Sequence, residues 1–126
     1  MSRRPTIATL TAHAAKPLQR NNLMSISGYR VITPKCPGDI VELLSRENPV
    51  ALVVNNTVDI ENRQELLERV RAEFPNLLIV HVFTHGEQPV EELADANVDV
   101  TDPTNLIFAL EKLLANDGNG REEKLA

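Results

Sequence analysis

Val50-Ala51-Leu52-Val53-Val54-Asn55-Asn56 is the stretch whose reading decides the fold. Five apolar residues follow one another without polar alternation, and four of them are Val or Leu. This pattern suits a strand covered on both faces, as in the middle of a parallel sheet. Pro49 closes whatever precedes the strand, and two amides stand where the apolar run stops. Working outward, short β-like runs alternate with amphipathic stretches at a spacing of about 25 residues, the order expected of a parallel sheet covered by helices.

Upstream, strands are predicted at 6–11 and 29–33. A helix is predicted from about Pro17 to Ile26, ended by Gly28, a residue suited to the left-handed conformation of a helix stop. A second helix is expected to follow the Pro34, Pro37 and Gly38 turn cluster, with Ile40, Val41, Leu43 and Leu44 on one face. Downstream, Asn62 and Glu65 have the spacing of a capping pair, and Leu66, Leu67, Val70 and Phe74 recur at helical intervals until Pro75. Residues 77–83 read as the fourth strand and 98–100 as the fifth. A short fourth helix is predicted between them, opened by Pro89 and carrying Val90, Leu93 and Ala94. The fifth helix is predicted from Thr104 to Ala115. Residues 1–115 then form one domain, and the polar, Gly-containing residues 116–126 read as a disordered tail.

Composition narrows the function classes. A chain of 126 residues has the size of one domain, able to bury roughly 65 to 70% of its unfolded surface. With one Tyr, three Phe and no Trp, the core must be aliphatic and little aromatic surface is left for stacking bases. The single Cys36 excludes an internal disulfide and a cysteine-based zinc site, and reads as a passive thiol. Residues 1–20 include Arg3-Arg4 without an apolar run of signal-peptide length, and nothing approaches the roughly 18 apolar residues of a membrane span. A cytoplasmic protein without membrane contact is expected. Charge is uneven: residues 1–50 hold seven Lys/Arg and three Asp/Glu, whereas residues 51–126 hold six and fifteen. The acidic half is a poor match for a phosphate backbone, so no nucleic acid partner is expected; a basic protein suits it better.

Three segments carry a resemblance: Gly28-Tyr29-Arg30-Val31-Ile32, Asn48-Pro49-Val50-Ala51-Leu52-Val53-Val54-Asn55 continued by Gln64-Glu65-Leu66-Leu67, and Val98-Asp99-Val100-Thr101-Asp102-Pro103. In this order and spacing they resemble the receiver domain of bacterial two-component response regulators. The resemblance implies an α/β, flavodoxin-like, doubly wound five-stranded parallel sheet of order 2-1-3-4-5, with its site at the carboxyl ends of the strands. It implies a phosphorelay signalling module in which paired acids and a phosphoacceptor aspartate bind Mg²⁺; the departures from that pattern in this chain lead to the expectation of no enzyme activity and no cofactor. The pocket positions then fall on Thr11, Ala12, Asn55, Thr57, Phe83, Thr84, Asp102 and Pro103. The family's paired acids read Thr11 and Ala12, its phosphoacceptor aspartate reads Asn55, and its lysine before proline reads Asp102. Asn55 neither attacks phosphorus nor holds a hard cation well, and Asp102 reverses the charge that would neutralise a phosphoryl oxygen. A stand-alone pseudo-receiver, acting by phosphorylation-independent protein binding, is therefore the expectation.

Two alternatives use the same strand ends. His13 and His85 with Asp59 and Asp102 could bind a metal or small molecule, and Asp59 could serve as a displaced phosphoacceptor. His81, inside an apolar strand, reads as a hydrogen-bonded core or half-buried histidine rather than a ligand. On the fifth helix, Leu106, Ile107, Ala109, Leu110, Leu113 and Leu114 share one arc, while Phe108 projects outward beside Glu111 and Lys112. Residues 87–112 carry seven acids and one base. The surface of the fourth helix, fifth strand and fifth helix, which in receiver-like proteins meets partners or a second copy, is thus the expected binding face.

Overall fold

A computed structural model describes residues 5–10, 24–35, 37–55, 60–84, 91–102 and 104–125. Five parallel strands, β1 (Thr6–Leu10), β2 (Arg30–Ile32), β3 (Ala51–Asn55), β4 (Leu78–Phe83) and β5 (Ala96–Asp99), form one sheet of order β2-β1-β3-β4-β5. β3 is central and buried along its whole length, as its unbroken apolar run requires. It pairs Ile7 with Ala51 on one side and Ala51 with Leu78 on the other.

Alternate strand residues serve opposite faces. Ala8, Leu10, Leu52, Val54 and Ile79 pack with Ile40, Leu43 and Leu44 of α1 (Ile40–Glu47) and with Leu66, Leu67 and Val70 of α2 (Ile60–Glu73). Ile7, Ala51, Val53, Val80 and Val82 pack with Met24, Tyr29, and Leu106 and Leu110 of α3 (Thr104–Leu125). Each fully buried Leu or Ile contributes about 1.5 to 3 kcal/mol through removal from water, which makes this double aliphatic core the main support of the sheet.

Two helix stops follow their sequence signals. Residues 24–26 form the helical turn that Gly28 stops, with φ +101° at the glycine. The N–H of Tyr29 donates to Met24 O at 3.0 Å and that of Gly28 to Ser25 O at 3.1 Å, the paired bonds of a Schellman stop. Asn48 ends α1 in the left-handed region at φ 50°, ahead of Pro49. The remainder of the helix predicted from Pro17 lies outside the described residues.

Three expectations need correction. α2 begins at Ile60, two residues before the predicted cap Asn62, so Asn62 lies within the first turn. Residues 91–95 form turns and bends where a fourth helix was expected. The physical reason is a diversion of the segment's own backbone donors: the N–H of Leu93 goes to Glu91 Oε2 at 3.1 Å and that of Asp95 to Ile79 O at 2.7 Å, so neither makes the bond that a helix would use internally. Pro89 and Val90 lie outside the described residues. Finally, the α3 backbone is helical to Leu125, beyond the predicted end at Ala115.

Candidate functional site

The carboxyl ends of the strands bring Asn55, Phe83, Thr84 and Asp102 to one end of the sheet. Leu10 pairs with Val54, Asn55 with Val82, and Phe83 with Asp99, so Asn55 is the last paired residue of the central strand. It is 8% exposed, placed at this depth by the buried run behind it. Its neutral amide offers a carbonyl acceptor and an NH₂ donor but no anionic oxygen. Thr84 follows β4 directly and is half-buried. Thr11, Ala12, Thr57 and Pro103 lie outside the described residues, as do His13, Cys36, Asp59 and His85.

Asp102 is exposed and engaged in starting α3. Its Oδ1 accepts the Thr104 hydroxyl at 2.7 Å and the Thr104 N–H at 3.0 Å, while its carbonyl accepts the Asn105 N–H at 3.0 Å. Those side-chain and backbone bonds from Thr104 hold the carboxyl below the ordinary aspartate value. The group stays ionised and supports the helix N-terminus, where a negative charge is favourable. Asn105 Nδ2 also donates to Asp99 O at 2.9 Å, tying the helix start to the end of β5.

On α3, Leu106 and Leu110 are buried, Ile107, Leu113 and Leu114 are half-buried, and Phe108 is 69% exposed, in agreement with the predicted arc. Glu111 and Lys112 are exposed beside it. Glu92, Asp95, Asp99 and Asp102, all exposed, continue the acidic field across β5 and the segment before it.

Behind that field lies a buried polar network. Arg63 Nε donates to Glu91 Oε1 at 2.7 Å, with both side chains almost fully buried. The Glu91 N–H donates to Asn97 Oδ1 at 2.7 Å, which fixes the orientation of that amide. His81 is fully buried, and its Nδ1 lies 2.9 Å from the same oxygen, so Nδ1 carries the proton that it donates. Arg71 adds bonds to Leu77 O, Leu93 O and Asp95. Neither Arg63 nor Glu91 stands out in the sequence. Arg63 precedes Leu66, Leu67 and Val70 by three, four and seven positions and so falls on the buried stripe of α2, a placement that demands a buried partner.

An apolar cleft of about 510 Å³ opens at the other end of the sheet, lined in part by Pro5, Leu44, Val50, Phe74, Leu77 and Leu114. Among the described residues, no group of three or more His, Cys, Asp or Glu side chains could hold a metal ion, and no helix is long and apolar enough to cross a membrane.

Solved structures with the same architecture settle the fold. The signal receiver domain of an HD domain-containing protein from Pseudomonas fluorescens Pf-5 superposes with a TM-score of 0.76 over 97% of this chain and 95% of its own, at 17% identity. The chain has the receiver fold. The chemotaxis protein CheY4 of Vibrio cholerae shares the receiver fold at a TM-score of 0.73 and 12% identity, over 87% of this chain and 98% of that one. NtrX from Brucella abortus, solved in complex with ATP, matches 97% of this chain with 29% of its own, at a TM-score of 0.78 and 16% identity. No protein-family model matches the chain, and no curated protein does. At these identities the likeness concerns the receiver fold, and it aligns this sheet with the order predicted from sequence.

Proposed function

We propose that this chain is a pseudo-receiver: a non-enzymatic signalling module that works by binding a protein partner, independently of phosphorylation. The observation that carries this reading is Asn55, an uncharged and nearly buried amide at the end of the central strand. A carboxylate there would provide both the nucleophile for phosphorus and an anionic ligand for Mg²⁺; an amide provides neither. Asp102 supports the same reading, since its carboxylate is committed to Thr104 and adds negative charge at the end of the sheet.

The binding face is the exposed side of α3 with β5 and residues 91–95. Phe108 supplies an apolar anchor within an acidic field, and a basic partner complements it. Intact-mass measurement after incubation with acetyl phosphate and Mg²⁺ tests the proposal. The native chain is expected to gain no phosphoryl mass. A stoichiometric adduct, mapped by peptide analysis to Asp59 or another carboxylate, would replace the pseudo-receiver reading with a displaced phosphoacceptor. Asn55→Asp provides the comparison, because restoring one carboxylate leaves Thr11, Ala12 and Asp102 as they are.

A further inference from the structure

Resting on the binding reading above, the geometry points to the Arg63–Glu91 pair as a clamp that positions the acidic face from behind, without belonging to it. Both residues are 2% exposed, buried as deeply as the aliphatic core. A buried pair of this kind gives up hydration on both sides, so its net contribution to stability is small or unfavourable against an apolar pair of similar size. Its directional bonds have a different consequence: they fix the path of residues 91–95 ahead of β5.

Glu91 joins that segment to α2 and β5 directly, and to β4 through Asn97. One carboxylate oxygen binds Arg63 on α2, and the other holds Leu93 N–H within the turn. Its own N–H reaches Asn97 Oδ1 on β5, which also accepts from His81 on β4. Four residues on, Asp95 exchanges bonds with Ile79: its N–H donates to Ile79 O at 2.7 Å, and its Oδ2 accepts the Ile79 N–H at 2.8 Å. Arg71, two turns along α2 from Arg63, reaches Leu93 O at 3.0 Å and Asp95 Oδ2 at 3.1 Å. Residues 91–95, which make one turn bond of their own from Ala94 N–H to Glu91 O, are thereby held at both ends by α2 arginines. Glu92 and Asp95 are carried by it, so their placement relative to β5 and α3 depends on these bonds. Arg63 and Glu91 are positioning residues for the face.

Hydrogen exchange followed by mass spectrometry on the full chain tests the clamp without any partner, so failure of the clamp and failure of the binding reading remain distinguishable. Two variants are compared with the native protein: Glu91→Gln, which keeps shape and removes charge, and the double variant Arg63→Met with Glu91→Leu, which removes both charges and preserves apolar volume. In each, amides of residues 92–97 should exchange at least about tenfold faster, while those of β1 and β3 stay within about twofold of native. Protection of 92–97 equal to native in either variant would overturn the clamp. So would a loss shared equally by β1 and β3, since that reports general destabilisation. If Glu91→Gln alone does not fold, the double variant carries the comparison; if that variant does not fold either, the pair maintains the whole domain rather than one face, and the proposal falls.

Discussion

Tyr29 is the only tyrosine, and the chain has no tryptophan, so its ultraviolet titration reports a single group. Burial first, and then the negative charge of Glu111, push its hydroxyl above the ordinary value of 10.0. The folded state therefore prefers the protonated phenol. Stability from this preference is fully present below the ordinary value and is lost as pH rises through the raised one. Glu111→Gln should lower the titration midpoint, yet leave it above that of the unfolded chain because burial remains the larger cause. A midpoint unmoved by the substitution would separate Glu111 from Tyr29 and loosen the placement of α3 against the start of β2. At this scale the sequence was legible in part. Asn55, Asp102 and Phe108 announced themselves through position, charge or exposure. Arg63 lay hidden because an apolar stripe is recognised by its majority, and a single charge within it is readily taken as a boundary.

Elements were more legible than the contacts between them. The five strands emerged within one or two residues, since short apolar runs bounded by Pro, Gly or Asn leave few alternative endpoints. Gly28 likewise predicted its own stop, and φ +101° explains why a residue without Cβ stands there. The fourth helix was misread because Pro89, Leu93 and Ala94 satisfy a helical pattern, whereas the Leu93 N–H turns back to the Glu91 carboxylate and the Asp95 N–H crosses to Ile79 O on β4. α3 raises the opposite question. Its backbone is helical to Leu125, yet residues 116–126 contain only Leu125 and Ala126 as apolar residues, and Gly118 and Gly120 each cost about 1 kcal/mol relative to Ala in a helix. We propose that the folded unit ends near Ala115. A chain cut after Ala115 should unfold within about 2 °C of the full chain in a thermal melt, whereas a fall of more than about 5 °C would mean that the extension contributes buried surface.

Across the whole molecule, the receiver fold separates two features that the sequence alone could only place on one line: an end of the sheet whose central residue is uncharged, and a flank where acids surround an exposed aromatic. In the proposed function, the first removes phosphoryl chemistry and the second serves recognition. Phe108 is 69% exposed, so its replacement should leave folding nearly unchanged: Phe108→Ala is expected to keep the thermal midpoint within about 2 °C. Association should respond quite differently. If Phe108 anchors the face, the same substitution should weaken partner capture or self-association at least about tenfold, corresponding to roughly 1.4 kcal/mol or more. Reversing a neighbouring charge with Glu111→Lys should weaken binding of a basic partner too, most visibly at low salt where surface charges are least screened. Capture experiments with the three proteins, together with sedimentation of the chain alone, distinguish the cases. Loss in both variants identifies the acidic face; loss only in Phe108→Ala indicates an apolar contact without charge selection. Association unchanged in both would remove this face as the binding surface, while leaving the prediction about phosphoryl transfer to stand on Asn55.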